Sequence, residues 1–247
     1  MIAGFNARLS DTEVFLFMTR DTALQRDAVV DMRALEEEAE WVKADCNKAG
    51  DETGANLMLA FQCAADSYAE ELQMWIALKS DQPDDAWNHL VGAQEANDAL
   101  LRLKAPFGAV ERRGGRLLQL EGLVFPPQAF ISAGCIVEAS YCSVCKSDYD
   151  ACHHIAGRAY RGRFASQIPV KIRGDHVALV DVPADKRCRA TLISHEGRAR
   201  SKMTWRVSDK PLAESSMEGI FMSLGGRWGR IRFGTGESGK RSWRIAD

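Results

Sequence analysis

The segment Tyr141–His154 reads YCSVCKSDYDACHH, and its reading decides how the second half of the chain folds. Four potential ligands stand in the pattern Cys-x2-Cys-x6-Cys-x-His: Cys142, Cys145, Cys152 and His154. A Cys-x-x-Cys turn can aim two sulfurs at one ion about 2.3 Å away, and a short loop returns a third sulfur and an imidazole to the remaining corners of a tetrahedron. The competing account is a set of reduced cysteines packed in a core, and such a set rarely falls at ligand spacing with histidines beside it. His153 and His154 are adjacent and point differently. His154 is the expected ligand, and His153 the exposed or supporting neighbour. Three thiolates and one imidazole leave no corner for a substrate water, so the expected cofactor is a structural Zn²⁺ whose binding supplies local folding free energy.

Seven cysteines occur in all. The N-terminus lacks the basic segment, apolar core and small-residue cleavage site of a secretory signal. A cytoplasmic protein is therefore expected, and in a reducing compartment clustered cysteines indicate metal rather than disulfides. Cys46, Cys63, Cys135 and Cys188 are scattered and are expected to be buried thiols. No apolar run approaches the roughly 20 residues that cross a bilayer, so no membrane partner is expected.

Upstream of the cluster the pattern is helical. Met32, Leu35, Ala39, Val42 and Cys46 alternate in steps of three and four, as do Leu57, Phe61, Ala64, Tyr68, Leu72 and Trp75. Each series draws an apolar stripe along one helix face. Gly50 to Gly54 between them is turn chemistry, predicting an antiparallel hairpin. A third helix is predicted to start near Ser80 or Asp81, with Pro83 in its first turn, where a missing N–H is harmless. Its core face would hold Trp87, Leu90, Ala93, Asn97 and Leu100. After Pro106 the pattern changes: Gly114-Gly115 is expected to break the chain, and Leu117 to Phe125 to run extended up to Pro126-Pro127. Ala129 to Val137, Ile168 to Ile172, His176 to Val182 and Arg189 to Ile193 have strand composition.

The expected fold is α+β. An acidic, antiparallel helical region over 1–105 precedes a basic, β-rich, zinc-stabilised module over 106–247. Charge follows the same boundary closely. Residues 1–100 hold 7 Lys and Arg against 20 Asp and Glu, and residues 101–247 hold 25 against 14. Such asymmetry suggests either different partners for the two regions or mutual attraction between them.

The run Phe125-Pro126-Pro127-Gln128, the cluster itself, Gly157-x2-Tyr160-x-Gly162 and Leu179-Val180-Asp181-x-Pro183-Ala184-Asp185 together resemble a group of uncharacterised bacterial proteins. In that group a "CSICG…Y..C.H..G..Y.G" knuckle precedes a "VSLV..PAD" strand. The resemblance covers roughly residues 123–195. It implies metal ligation by Cys142, Cys145, Cys152 and His154, and it implies no activity. The strand phrase also resembles that of phage prohead proteases, but the position of their serine is Ala178 here, so no nucleophile is present to start acyl transfer.

Two further patterns bear on function. Gly234-Thr235-Gly236-Glu237-Ser238-Gly239-Lys240-Arg241 approaches a phosphate loop. It lacks the hydroxyl after the lysine that holds Mg²⁺, and it leaves no room for the helix that would receive phosphate. A glycine-rich hairpin turn is expected instead. Basic residues interleaved with aromatics, namely Arg198, Arg200, Lys202, Arg206, Arg227, Arg230, Arg232, Lys240, Arg241 and Arg244, suit nucleic acid. They equally suit the ordinary in–out alternation of strands. The leading expectation is a non-enzymatic zinc protein that acts through binding, with nucleic acid as the possible partner of the basic half. The alternative is a protein–protein scaffold or homodimer built through the acidic helices. A hydrolase ranks behind both, because four ligands close the metal site.

Overall fold

The structure is a computed structural model that describes residues 2–104, 110–213, 216–223, 227–235 and 241–246. Five helices come first: α1 (Ile2–Glu13), α2 (Thr22–Ala49), α3 (Glu52–Lys79), α4 (Pro83–Leu103) and α5 (Val110–Val124). Ten strands come after them: β1 (Phe130–Cys142), β2 (Ala159–Tyr160), β3 (Arg163–Phe164), β4 (Gln167–Val180), β5 (Ala190–His195), β6 (Arg198–Ser201), β7 (Val207–Pro211), β8 (Met217–Ser223), β9 (Arg227–Thr235) and β10 (Arg241–Ala246). This is the α+β arrangement that the patterning predicts. The chain packs as two compact units. One comprises residues 1–124 with 141–168, and the other residues 125–140 with 169–247. These units are discontinuous in sequence, whereas composition changes once, near residue 105. The cysteine cluster packs in the same unit as the helices.

Local chemistry explains the helix ends. The Asp21 side chain accepts the Ala23 N–H at 2.7 Å and starts α2. Gly50, at φ +74°, ends it in the left-handed conformation that glycine adopts without a Cβ penalty. Asp51 accepts the Gly54 N–H at 2.8 Å and starts α3 at once. The predicted five-residue turn is therefore far shorter. Pro83 opens α4, as its missing N–H allows.

The predicted stripes form the core of this unit. Met32, Leu35 and Ala39 meet Phe61, Ala64, Tyr68 and Leu72, with the Phe5 and Phe61 rings stacked at 4.1 Å. Trp87, Leu90, Ala93, Asn97 and Leu100 are all buried on α4. Val42, Cys46 and Leu57, at the ends of the stripes, are half-buried. Residues 117–124, expected to be extended, instead belong to α5, which seats Leu117 fully buried. The Gly114-Gly115 pair does not break this helix. A Cβ at Gly114 would stand 2.9 Å from the Asn97 amide, so glycine lets α5 approach α4 closely. Arg113 and Arg116 on α5 reach the fully buried Glu71 of α3 at 3.1 and 2.6 Å.

The other unit contains a six-stranded antiparallel sheet in the order β10-β9-β8-β5-β6-β7. Gly219 on β8 leaves the space that the Ile131 side chain fills. β1 and β4 form a separate two-stranded sheet. The two strands expected over 168–172 and 176–182 are one, because Gly174 does not turn and the backbone runs extended through it as β4. No helix among the described residues is long and apolar enough to cross a membrane. Of the scattered cysteines expected to be buried, only Cys188 is. Cys46, Cys63 and Cys135 are half-exposed.

Candidate metal centre

Cys142 ends β1, and its backbone closes a tight turn: its N–H donates to Ser147 O and its C=O accepts from Lys146 N, both at 2.9 Å. Lys146 completes the turn at φ +63°, a left-handed conformation that glycine adopts more readily. Asp148 then accepts the Asp150 N–H at 3.0 Å and starts the short 3-10 turn Tyr149–Ala151, which delivers Cys152. Two phenols fix the returning loop. Tyr149 OH accepts the Ala156 N–H at 3.1 Å, and Tyr160 OH accepts the Ile155 N–H at 3.2 Å. The Tyr160 ring meets the His154 imidazole edge-on at 4.6 Å.

This backbone brings one donor atom from each of Cys142, Cys145, Cys152 and His154 within 4.8 Å of one another. Cys145 Sγ and Cys152 Sγ lie 3.4 Å apart, and Cys152 Sγ is 3.2 Å from His154 Nδ1. A tetrahedral Zn–S₄ edge is about 3.8 Å, so four donor atoms at these separations could hold a metal ion. His153 is exposed and stands outside this cluster.

The sulfurs are also served as thiolates are. Val144 N–H donates to Cys142 Sγ at 3.3 Å, and His154 N–H to Cys152 Sγ at 3.2 Å. In both of these bonds the donor lies two residues after its cysteine. The nearby Ser147 backbone amide and the neighbouring Cys152 lower the Cys145 thiol to about 6. Removal from water, with sulfurs for neighbours, pushes Cys152 up to about 11. Thiolates packed together repel one another unless a cation lies among them. The donor set therefore fits a divalent, thiolate-loving ion.

Comparison with known protein families, curated proteins and solved structures gives no match. The site is therefore defined by its own geometry.

The centre is fastened to the helices by the β2–β3 hairpin. Gly162 N–H donates to Asn56 Oδ1 at 2.8 Å, and Asn47 Nδ2 donates to Arg161 O at 3.3 Å. Gly162 sits at φ +73°, where a Cβ would stand 2.5 Å from Lys43 Cδ and 2.9 Å from Ala55 O. The Arg102 guanidinium lies 5.1 Å over the Phe164 ring. None of these partners belongs to the Cys/His motif, and no local sequence signal points to them.

The basic residues singled out in the C-terminal half lie elsewhere. Arg198 and Arg200 are on β6, with Lys202 and Arg206 just after it. Arg198 pairs with Asp209 at 3.9 Å, Arg200 Nη2 is 3.1 Å from His195 Nε2, and Lys202 Nζ is 5.4 Å from the Trp205 ring. Arg227, Arg230 and Arg232 are on β9, and Arg241 and Arg244 on β10. Lys240 lies outside the described residues. Arg200 shares a ladder row with Ile193, Met217 and Phe233, while Arg232 shares the next row with Glu218 and Arg244. Arg200 and Arg232 thus stand in different ladder rows. Residues 236–240, expected to form the glycine-rich turn, lie outside the described residues; the next element is strand β10, paired antiparallel with β9. A strand thus occupies the place where a phosphate loop needs its helix. Ser194 Oγ donates to Leu212 O from β5, and His176 pairs with Asp175 on β4.

Proposed function

We propose that Cys142, Cys145, Cys152 and His154 bind a structural Zn²⁺, and that the protein acts through binding rather than catalysis. One observation carries this reading: one donor atom from each of Cys142, Cys145, Cys152 and His154 lies within 4.8 Å of the others, and the Cys142 and Cys152 sulfurs each receive a backbone N–H from two residues on. A site in which all four corners are protein groups gives a substrate no access to the ion. Bound zinc would hold the knuckle closed, and the knuckle presents the β2–β3 hairpin to Asn47 and Asn56 of the helices. Zinc would thereby act on the shape of the helical unit's surface, while the chemistry of recognition lies in the side chains around it.

The test is metal content with thermal stability, for wild type and Cys145→Ser. One equivalent of zinc in wild type is expected. Less than a tenth of that in the variant, with a lower melting temperature, is expected alongside. Equal zinc and equal stability would end the proposal.

A further inference from the structure

Beside the knuckle, where the end of α4 meets the loop before β2, lies an open cleft of about 660 Å³. Arg102 and Lys104 line it from the helix side, Gly157 and Arg158 from the loop, and Asn56 from α3. Among the described residues no carboxylate lines this cleft. None of the three cations takes part in an ion pair among the described residues. The adjoining cleft on the metal side differs: there Glu52 stands with Arg161 and Arg163.

The polar side chains around the first cleft are rich in donors. Two arginines and one lysine, all three exposed, line it, and Asn56, whose Oδ1 is taken by the Gly162 N–H, adds an amide donor. The groups are also held in place. Arg102 lies over Phe164, and its Cδ is 4.0 Å from where a Cβ of Gly157 would stand. Lys104 caps α4 at φ +49°, a conformation uncommon outside glycine. A bland account is that cations collect at a helix C-terminus. That end carries only about half an elementary negative charge, against three formal positive charges, one of them from another segment. The acidity of the helices elsewhere is screened beyond about 8 Å at physiological salt.

We infer that this cleft binds phosphate, through the oxygens of a single-stranded nucleic-acid backbone or of a free phosphate group. Arginine forks and an ammonium match a tetrahedral polyanion better than a lone carboxylate. The inference rests on the zinc proposal to the extent that the knuckle holds the Gly157–Arg158 loop against α4.

The experiment uses the full chain with zinc content and melting temperature measured on each sample. A fluorescein-labelled 12-nucleotide single-stranded RNA is titrated by anisotropy, and inorganic phosphate by calorimetry. Three backbone contacts on a single strand predict an affinity that falls about 20-fold between 50 and 200 mM salt. The Lys104→Glu/Arg158→Glu double variant is expected to lose at least about tenfold in affinity, with zinc and melting temperature unchanged. Should that variant fold poorly, Arg158→Gln at an exposed position is expected to lose about threefold. RNA binding at least tenfold tighter than phosphate identifies a strand as the source, and equal affinities identify a lone phosphate group. If neither probe binds the zinc-loaded wild type, or if the variants bind as wild type does, the inference is overturned. It is equally overturned if binding is abolished by Arg198→Glu/Arg206→Glu and untouched by the cleft variants. A wild type without zinc overturns the metal proposal alone, because the same titrations still decide the cleft.

Discussion

Helix α3 and the knuckle over 141–168 pack in one unit and have the same length, yet they are built in opposite ways. Of its 28 residues, α3 buries fourteen, among them Phe61, Leu72 and Trp75. The knuckle buries three: Cys142, Gly162 and Ala165. Burying a large apolar side chain contributes about 1.5–3 kcal/mol, so α3 brings its own core to the fold. The knuckle has almost none. Its turns converge on sulfur and imidazole instead, and an ion of zinc's kind contributes about 10–16 kcal/mol of apparent binding free energy to a small domain of this type. If the proposed zinc is bound, one compact unit holds two parts whose stabilities answer to different variables, apolar packing in one and metal activity in the other.

Removing the metal should separate the two parts most sharply. With a strong chelator, amide exchange in 141–168 is expected to rise toward that of an unfolded chain, while the far-UV helical signal keeps most of its amplitude. A cooperative loss of helix on chelation would mean that the helices depend on the knuckle, and the contrast would fail.

The next effect is expected inside the helical part. Glu71 is fully buried and faces Arg113 and Arg116 at 3.1 and 2.6 Å. Burial lowers Arg113, and Glu71 is the first group that opposes it. Removing one partner of a buried ion pair leaves its counter-charge uncompensated, at a cost of about 3–5 kcal/mol. Glu71→Ala should therefore lower the denaturant midpoint strongly, with zinc content unchanged. Co-loss of zinc would show the two parts to be coupled more tightly than their contacts suggest.

The joint between the parts should respond to smaller changes. Gly162→Ala places a Cβ against Lys43 and Ala55 O at a left-handed φ. A strained position of this kind costs about 1–3 kcal/mol. Stability of the knuckle, followed by zinc release, is expected to fall, and Asn56→Ala should do the same more weakly by removing the Gly162 hydrogen bond. If Gly162→Ala releases zinc no faster than wild type, the hairpin does not clamp the centre.

The same contrast explains what the sequence discloses. The stripes through Met32–Ala39 and Phe61–Trp75 are legible because α2 and α3 pack by periodicity, which is local. The ligand set Cys142, Cys145, Cys152 and His154 is legible because a metal site on one short loop is also local. The features that escape such reading depend on distant partners. Gly114 looks like a breaker until Asn97 stands opposite it. Gly162 and Asn56 are 106 residues apart, and nothing at either position announces the other. The three cations of the phosphate cleft come from two segments more than fifty residues apart and become a set only when α4 and the knuckle are folded together.

The smallest expected effect belongs to the polar surface of the helical part, and it sharpens the comparison because the knuckle should not share it. Arg33 on α2 is surrounded by Glu36, Asp66 and Glu70, at 2.7, 2.6 and 2.8 Å, with His89 Nδ1 on the far side of Glu70 at 2.8 Å. Partial burial, aided by the negative neighbours Asp66 and Glu70, outweighs Arg33 and raises Glu36 from 4.5 to about 7. The folded state then holds this proton more tightly than the unfolded chain does. Its contribution is fully present below pH 4.5 and is lost as pH rises through 7. Asp66 is raised by burial and acts in the same sense. Glu70 is lowered, chiefly by His89 and Arg33 against its own burial, so its contribution is present at neutral pH and lost only as pH falls through its own folded value. Between pH 5 and 8, then, wild type should lose stability relative to Glu36→Gln, whose side chain has no proton to release. Chemical denaturation of both proteins at matched ionic strength across that interval measures the difference directly. A gap that stays constant would show Glu36 to be ionised throughout, held by Arg33 alone. A gap that follows zinc content instead would place the titration in the knuckle and not in the helices.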